Sequence, residues 1–165
     1  CKMGRLSLIF LRPTAGVRQG GVLSSFFFAL YVDDIVRTVL SRDTGCYVSH
    51  RCVSIFLYAD DIIIIAPSVS SLQSLINACE EALLVLDMKI NVSKSVCIRF
   101  GSRFNKSCVQ IELNNGERLD WVSSCRYLGI YFVSGRQLRC SFVNAKSNFY
   151  KAFNAFYSKI GRFCL

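Results

Sequence analysis

Val53-Ser54-Ile55-Phe56-Leu57-Tyr58-Ala59-Asp60-Asp61-Ile62-Ile63-Ile64-Ile65-Ala66 holds two β-branched and aromatic runs, 53–58 and 62–66, parted by Ala59-Asp60-Asp61. That order predicts a tight hairpin with two carboxylates at its tip, ended by Pro67. Carboxylates beside an apolar strand pair are costly unless they meet something cationic. Hard divalent ions take oxygen ligands, usually one or two carboxylates together with substrate phosphates, so a turn that presents Asp suits phosphoryl chemistry. Taken alone, Asp-Asp reads at least as well as an ordinary polar turn.

A near copy, Tyr31-Val32-Asp33-Asp34, tests the reading. From Val22 to Leu40 the apolar residues Leu23, Phe26, Phe27, Leu30, Tyr31, Ile35 and Val39 recur at three- and four-residue steps, with Ser24 or Ser25 as candidate cap. The spacing predicts a helix, so Asp33 and Asp34 belong to a solvated helical face. Only Asp60 and Asp61 have the hairpin context.

Outward from there, Arg5–Leu11 reads as a strand broken by Arg12-Pro13-Thr14-Ala15-Gly16, and a loop runs to Gly20-Gly21. Ser70 and Ser71 open a second helix that carries Leu72, Leu75, Ile76, Cys79, Leu83 and Leu86 on one face. Residues 88–95 read as a polar loop and Val96–Phe100 as a strand. Gln110–Leu113 and Arg118–Val122 form a hairpin about Asn114-Asn115-Gly116, and Tyr127–Val133 reads as one further strand. From Phe142 to Phe163 an aromatic stripe (Phe142, Phe149, Phe153, Phe156) lies beside Lys146, Lys151, Lys159 and Arg162 on a last helix.

Composition bounds the function. The 165 residues carry 20 Lys+Arg against 11 Asp+Glu, a net charge of +9, with 52% hydrophobic and 19% charged residues. A chain so apolar can build a core, which excludes disorder as its overall character. The longest uncharged stretch, 62–79, includes Pro67, Gln73, Asn77 and several Ser, so no membrane span is predicted. Nine Cys without a signal peptide point to reduced thiols in an intracellular protein, the nucleus included. Cys46 and Cys52 are six apart, and no C-x-x-C occurs. His50 is the lone imidazole, so a zinc module is disfavoured. Asn91-Val92-Ser93 and Asn105-Lys106-Ser107 match the glycosylation triplet without the secretory context that would give it meaning. The start at Cys1, already close to a strand, suggests a piece of a longer polypeptide.

Gly16-Val17-Arg18-Gln19-Gly20-Gly21-Val22-Leu23-Ser24, then an aromatic helix, then Tyr58-Ala59-Asp60-Asp61, then Lys94 within 89–95, then Tyr127-Leu128-Gly129, resembles the palm of reverse transcriptases. The likeness is greatest to those of non-LTR (LINE-type) retrotransposons. The ordered blocks cover roughly residues 10–135, and their joint occurrence is far more specific than any one of them. The resemblance implies an α+β fold: a palm over 1–135, its antiparallel sheet packed on one face by helices, then the start of a helical thumb over 136–165, with the fingers missing. It implies template-directed transfer of nucleotides from dNTPs to a DNA primer on an RNA template, with Mg²⁺ as cofactor and Mn²⁺ as substitute. The rest of a retrotransposon polyprotein would lie upstream and downstream.

Residue by residue, the resemblance assigns Arg18, Gln19 and Gly20, with Tyr58 and Ala59, to the pocket for template base and incoming nucleotide. Asp60 and Asp61 would be catalytic and hold metal, Asp61 in the lesser role. Lys94 resembles the lysine that stabilises or protonates the leaving pyrophosphate, although a solvated loop lysine fits it equally. Tyr127, Leu128 and Gly129 would grip the primer, unless they are an ordinary strand end. Two features depart from the family. Ser25 stands where Pro is usual, and no acidic residue precedes Asp33, so the family's other metal-binding Asp would have to lie upstream. The rival function is a non-catalytic nucleic-acid-binding remnant, which +9 charge and 13% aromatics would also serve.

Overall fold

The computed structural model describes residues 5–11, 24–42, 44–59 and 61–160. Its elements are β1 (Arg5–Leu11), α1 (Ser24–Leu40), β2 (Tyr47–Val48), β3 (Arg51–Cys52), β4 (Ile55–Tyr58), β5 (Asp61–Ala66), α2 (Val69–Val85), a 3₁₀ turn (Val92–Lys94), β6 (Val96–Gly101), β7 (Ile111–Glu112), β8 (Arg118–Val122), β9 (Ser124–Tyr127), β10 (Ile130–Val133), β11 (Arg139–Ser141) and α3 (Val143–Ile160). The fold is α+β.

Six strands form one sheet in the order β4-β5-β1-β6-β8-β7. The register pairs Leu11 with Ile62 and Ser7 with Ala66 on one side of β1, and Phe10 with Val96 and Arg5 with Gly101 on the other. Because side chains alternate along a strand, that register sorts two faces. Ile9, Leu11, Ile62, Ile64 and Cys97 join Val32, Ile35 and Val39 of α1 and Leu72, Leu75, Ile76 and Cys79 of α2 in the larger core. Leu8, Phe10, Ile98 and Phe100 form a smaller core on the opposite face, closed by Cys125, Tyr127 and Phe132 of the three-stranded sheet β11-β10-β9. Burying an Ile or Leu in such a core stabilises by about 1.5–3 kcal/mol. The sheet's β-branched runs thereby set the arrangement.

Four expectations need correcting, and one element had no counterpart among them. The main sheet is mixed rather than antiparallel: β8 runs parallel to β6, because the chain passes β6, travels back along the edge as β7 and returns between them as β8. The single strand read at 127–133 is a hairpin, β9 and β10, which turns at Leu128 (φ 46°) and Gly129 (φ 81°). A short hairpin, β2–β3, had no forecast; it turns at Ser49 (φ 48°) and His50 (φ 67°). Helix α2 starts at Val69, where the Ser68 hydroxyl accepts from the Ser71 N–H at 3.1 Å. The stretch 88–95 is not simply polar, since Met88 and Ile90 are buried in the larger core.

Helix α3 shows no buried residue, and Phe149, Phe153 and Tyr157 run along it as a ladder of stacked rings at 6.2 and 6.0 Å. The seven described cysteines are free, with Cys46, Cys79 and Cys97 buried. No described helix is long and apolar enough to cross a membrane.

Candidate active site

The hairpin β4–β5 keeps its register to the last pair, Tyr58 with Asp61. Ala59 follows Tyr58 in the left-handed region at φ 51°, as a tight two-stranded turn of right-handed twist requires. Asp61 is therefore fixed as the first residue of β5 and is half-buried, while Tyr58 is 60% exposed. Asp60 lies outside the described residues, as do Arg18, Gln19 and Gly20.

The strand order decides what comes near Asp61. β1 separates β5 from β6, and its pairs Leu11–Ile62 and Phe10–Val96 bring the start of β5 and the start of β6 to the same end of the sheet. Lys94 closes the 3₁₀ turn just before β6, where its N–H bonds the Asn91 carbonyl at 3.1 Å. From the opposite face, Tyr127 leans its ring onto Phe10 at 5.1 Å, and Phe132 flanks Phe10 at 5.6 Å. A cleft of about 300 Å³ results, lined by Phe10, Asp61, Lys94, Val96, Ser124, Cys125, Arg126 and Tyr127.

Three residues singled out in separate parts of the sequence, Asp61, Lys94 and Tyr127, therefore share one cleft. Tyr58 and Ala59 stand at the hairpin end beside it without lining it, and Leu128 and Gly129 form the β9–β10 turn, where Leu128 is 53% exposed. Arg126 was missed by sequence reasoning; its place in β9 directly before Tyr127 was the available signal. The near copy behaves differently: Asp33 and Asp34 are exposed on α1, and Asp33 pairs with Arg37 at 2.8 Å one helical turn on.

One described carboxylate and two cations, Lys94 and Arg126, line the cleft. That set suits a phosphate-bearing ligand, the cations facing phosphate oxygens and the carboxylate being the group that would hold a hard cation. Among the described residues no cluster of three His, Cys, Asp or Glu could hold a metal by itself, and β1, the strand beside β5, carries no acidic residue. Burial pushes the Cys125 thiol up to about 12, which disfavours the thiolate form.

Residues 5–132 match the reverse transcriptase (RNA-dependent DNA polymerase) family. Over 136 residues the chain is 27% identical to the Retrovirus-related Pol polyprotein from type-2 retrotransposable element R2DM of Drosophila melanogaster, a match that covers 78% of this chain and 13% of that protein. Over 133 residues it is 31% identical to the Retrovirus-related Pol polyprotein from type-1 retrotransposable element R2 of Nasonia vitripennis, covering 76% of this chain and 13% of that one. The chain thus spans 13% of the length of either curated relative.

Proposed function

We propose a function from one fact: this chain belongs to the reverse transcriptase (RNA-dependent DNA polymerase) family. On that footing residues 1–135 are the palm of an RNA-directed DNA polymerase from a non-LTR retrotransposon, and residues 136–165 begin its thumb. The polymerase works within a longer polyprotein on an RNA template, a DNA primer and dNTPs, in the cell interior and at nuclear DNA. The observation that carries the site is the cleft shared by Asp61, Lys94 and Tyr127.

The donor set fits a hard divalent ion in part. Asp61 offers carboxylate oxygen at a rigid strand start, and Asp60 adjoins it in sequence. These two carboxylates are the residues of this chain that would hold Mg²⁺. Mg²⁺, or Mn²⁺ in its place, supplies Lewis acidity at the transferred phosphoryl group when bound there. The chain's own residues do the rest. Arg18, Gln19 and Gly20 serve the pocket for template base and incoming nucleotide, a role for which glycine suits because it lets backbone come close. Tyr58 and Ala59 border the incoming nucleotide. Lys94 serves the leaving pyrophosphate, either offsetting the charge that develops on it or donating a proton to it. Tyr127, Leu128 and Gly129 present the β9–β10 turn to the primer, the Tyr127 ring being fixed by Phe10 and Phe132.

RNA-templated extension of a DNA primer tests this reading, with the polypeptide that includes the segment upstream of Cys1. Template-dependent, divalent-cation-dependent incorporation of dNTPs is expected. If that longer polypeptide binds primer–template yet incorporates nothing, the catalytic reading is wrong and the binding-remnant reading takes its place.

A further inference from the structure

The end of the sheet opposite Asp61 carries a second cleft. β5 runs from Asp61 to Ala66, roughly 17 Å at about 3.4 Å per residue, and there Ser7, Ser68, Arg99, Arg103, Lys106 and Ser107 surround a space of about 510 Å³. No carboxylate lines it, and three cations do.

Arg99 is held as a fixed charge. Its Nη2 donates to the carbonyls of Phe104 (3.1 Å) and Lys106, its guanidinium lies 5.8 Å from the Trp121 ring centre, and its Nε is buried with no hydrogen-bond partner. Ser68, which caps α2, also lines the cleft, so the positive end of a 17-residue helix lies at the same place. Arg103 and Lys106 are exposed on the loop that follows β6. They extend the positive surface beyond what one phosphate would need. Arg99 and Lys106 also line the neighbouring cleft of about 690 Å³, which Asp120 lines as well, so the two clefts meet at the same pair of cations and the positive surface continues past the first cleft through them.

We propose that this cleft binds the phosphodiester backbone of a nucleic-acid strand, at a site separate from the Asp61 cleft. Arg99 is the fixed anchor, and Arg103 and Lys106 are the rim that follows the strand. The site rests on its own geometry, so primer extension plays no part in its test.

Trp121 is the chain's single tryptophan, and its stacking on Arg99 makes it a reporter. The full chain is titrated with a uridine 12-mer at several salt concentrations while Trp121 emission is followed. A saturable emission change is expected. Arg103→Gln with Lys106→Gln should weaken binding at least fivefold and lower the salt slope by about 1.4, two charges at about 0.7 each for a single strand. The charge-preserving pair Arg103→Lys with Lys106→Arg should retain affinity, which a purely structural role for the loop would not predict. Inorganic phosphate should compete only weakly. Unchanged affinity and salt slope in the glutamine variant would overturn the proposal. So would a full emission response to inorganic phosphate with none to the 12-mer, which would mark a free-phosphate site instead.

Discussion

The two Asp-Asp pairs differ in what surrounds them. Asp33 sits on an exposed helical face and spends its charge on Arg37, an i,i+4 pair worth only about 0.3–0.5 kcal/mol. Asp61 is locked into β5 and opens onto a cleft with Lys94. The sequence made this distinction legible through periodicity alone: period 3.6 around Asp33, two apolar β-runs around Asp61. Arg99 and Arg126 escaped notice because each is one Arg in a strand, and only the sheet order gives either its neighbours. The cysteines give a residue-scale prediction. Burial raises Cys79 and Cys125 to about 12 and raises Cys97 as well, so at pH 8 only about 10⁻⁴ of the Cys79 and Cys125 thiols are thiolate. Cys140 is exposed. Alkylation of folded protein with iodoacetamide, mapped by mass spectrometry, should label Cys140 before the other described cysteines and leave those three until denaturant is added. Labelling of Cys125 at the Cys140 rate would mean that the β9–β10–β11 sheet does not cover that face.

At the element scale, long amphipathic patterns were readable and short turns were not. α1, α2, α3 and the β4–β5 and β7–β8 hairpins follow from spacing and from turn residues such as Asn115-Gly116. The β2–β3 turn is exposed and uses Ser49 and His50 at positive φ, a pair without the Gly or Asn that marks such a turn most strongly. At β9–β10 the clue was Gly129, masked by an apolar run on each side. Two glycines separate backbone strain from steric clash. Gly129 sits at φ 81° with nothing near a prospective Cβ, so Gly129→Ala should cost only conformational strain, about 1 kcal/mol. At Gly45 a Cβ would lie 1.9 Å from the Ser54 hydroxyl oxygen, which accepts from the Cys46 N–H at 2.7 Å. Gly45→Ala should therefore cost more, about 1–3 kcal/mol. Urea midpoints at constant m-value give both figures, and an equal loss at the two sites would contradict this assignment of causes.

At the scale of the whole molecule, two cores on opposite faces of one sheet fix the Asp61 end, while α3 contributes no buried residue to either. Removing residues 142–165 while keeping β11 should leave circular dichroism of the remainder and its melting temperature nearly unchanged. It should also weaken binding to an RNA/DNA hybrid and flatten its salt dependence, because Lys146, Lys151, Lys159 and Arg162 go with α3 and its aromatic faces. Unfolding of the truncated chain would show instead that α3 seals the core. The mixed character of the sheet was not legible, since a parallel β6–β8 pair depends on where a hairpin docks rather than on any local pattern. The 165 residues alone should not extend a primer even in excess Mg²⁺ or Mn²⁺, because β1 brings no carboxylate to face Asp61. The most direct measurement of the central claim is RNA-templated primer extension by the polypeptide that includes the upstream segment, with Asp60→Asn and Asp33→Asn compared at equal protein. Asp60→Asn should cut the rate by about 10²-fold or more, the loss of several kcal/mol of transition-state stabilisation, and Asp33→Asn should keep most of it. Equal loss from both substitutions, or full activity in Asp60→Asn, would contradict the account.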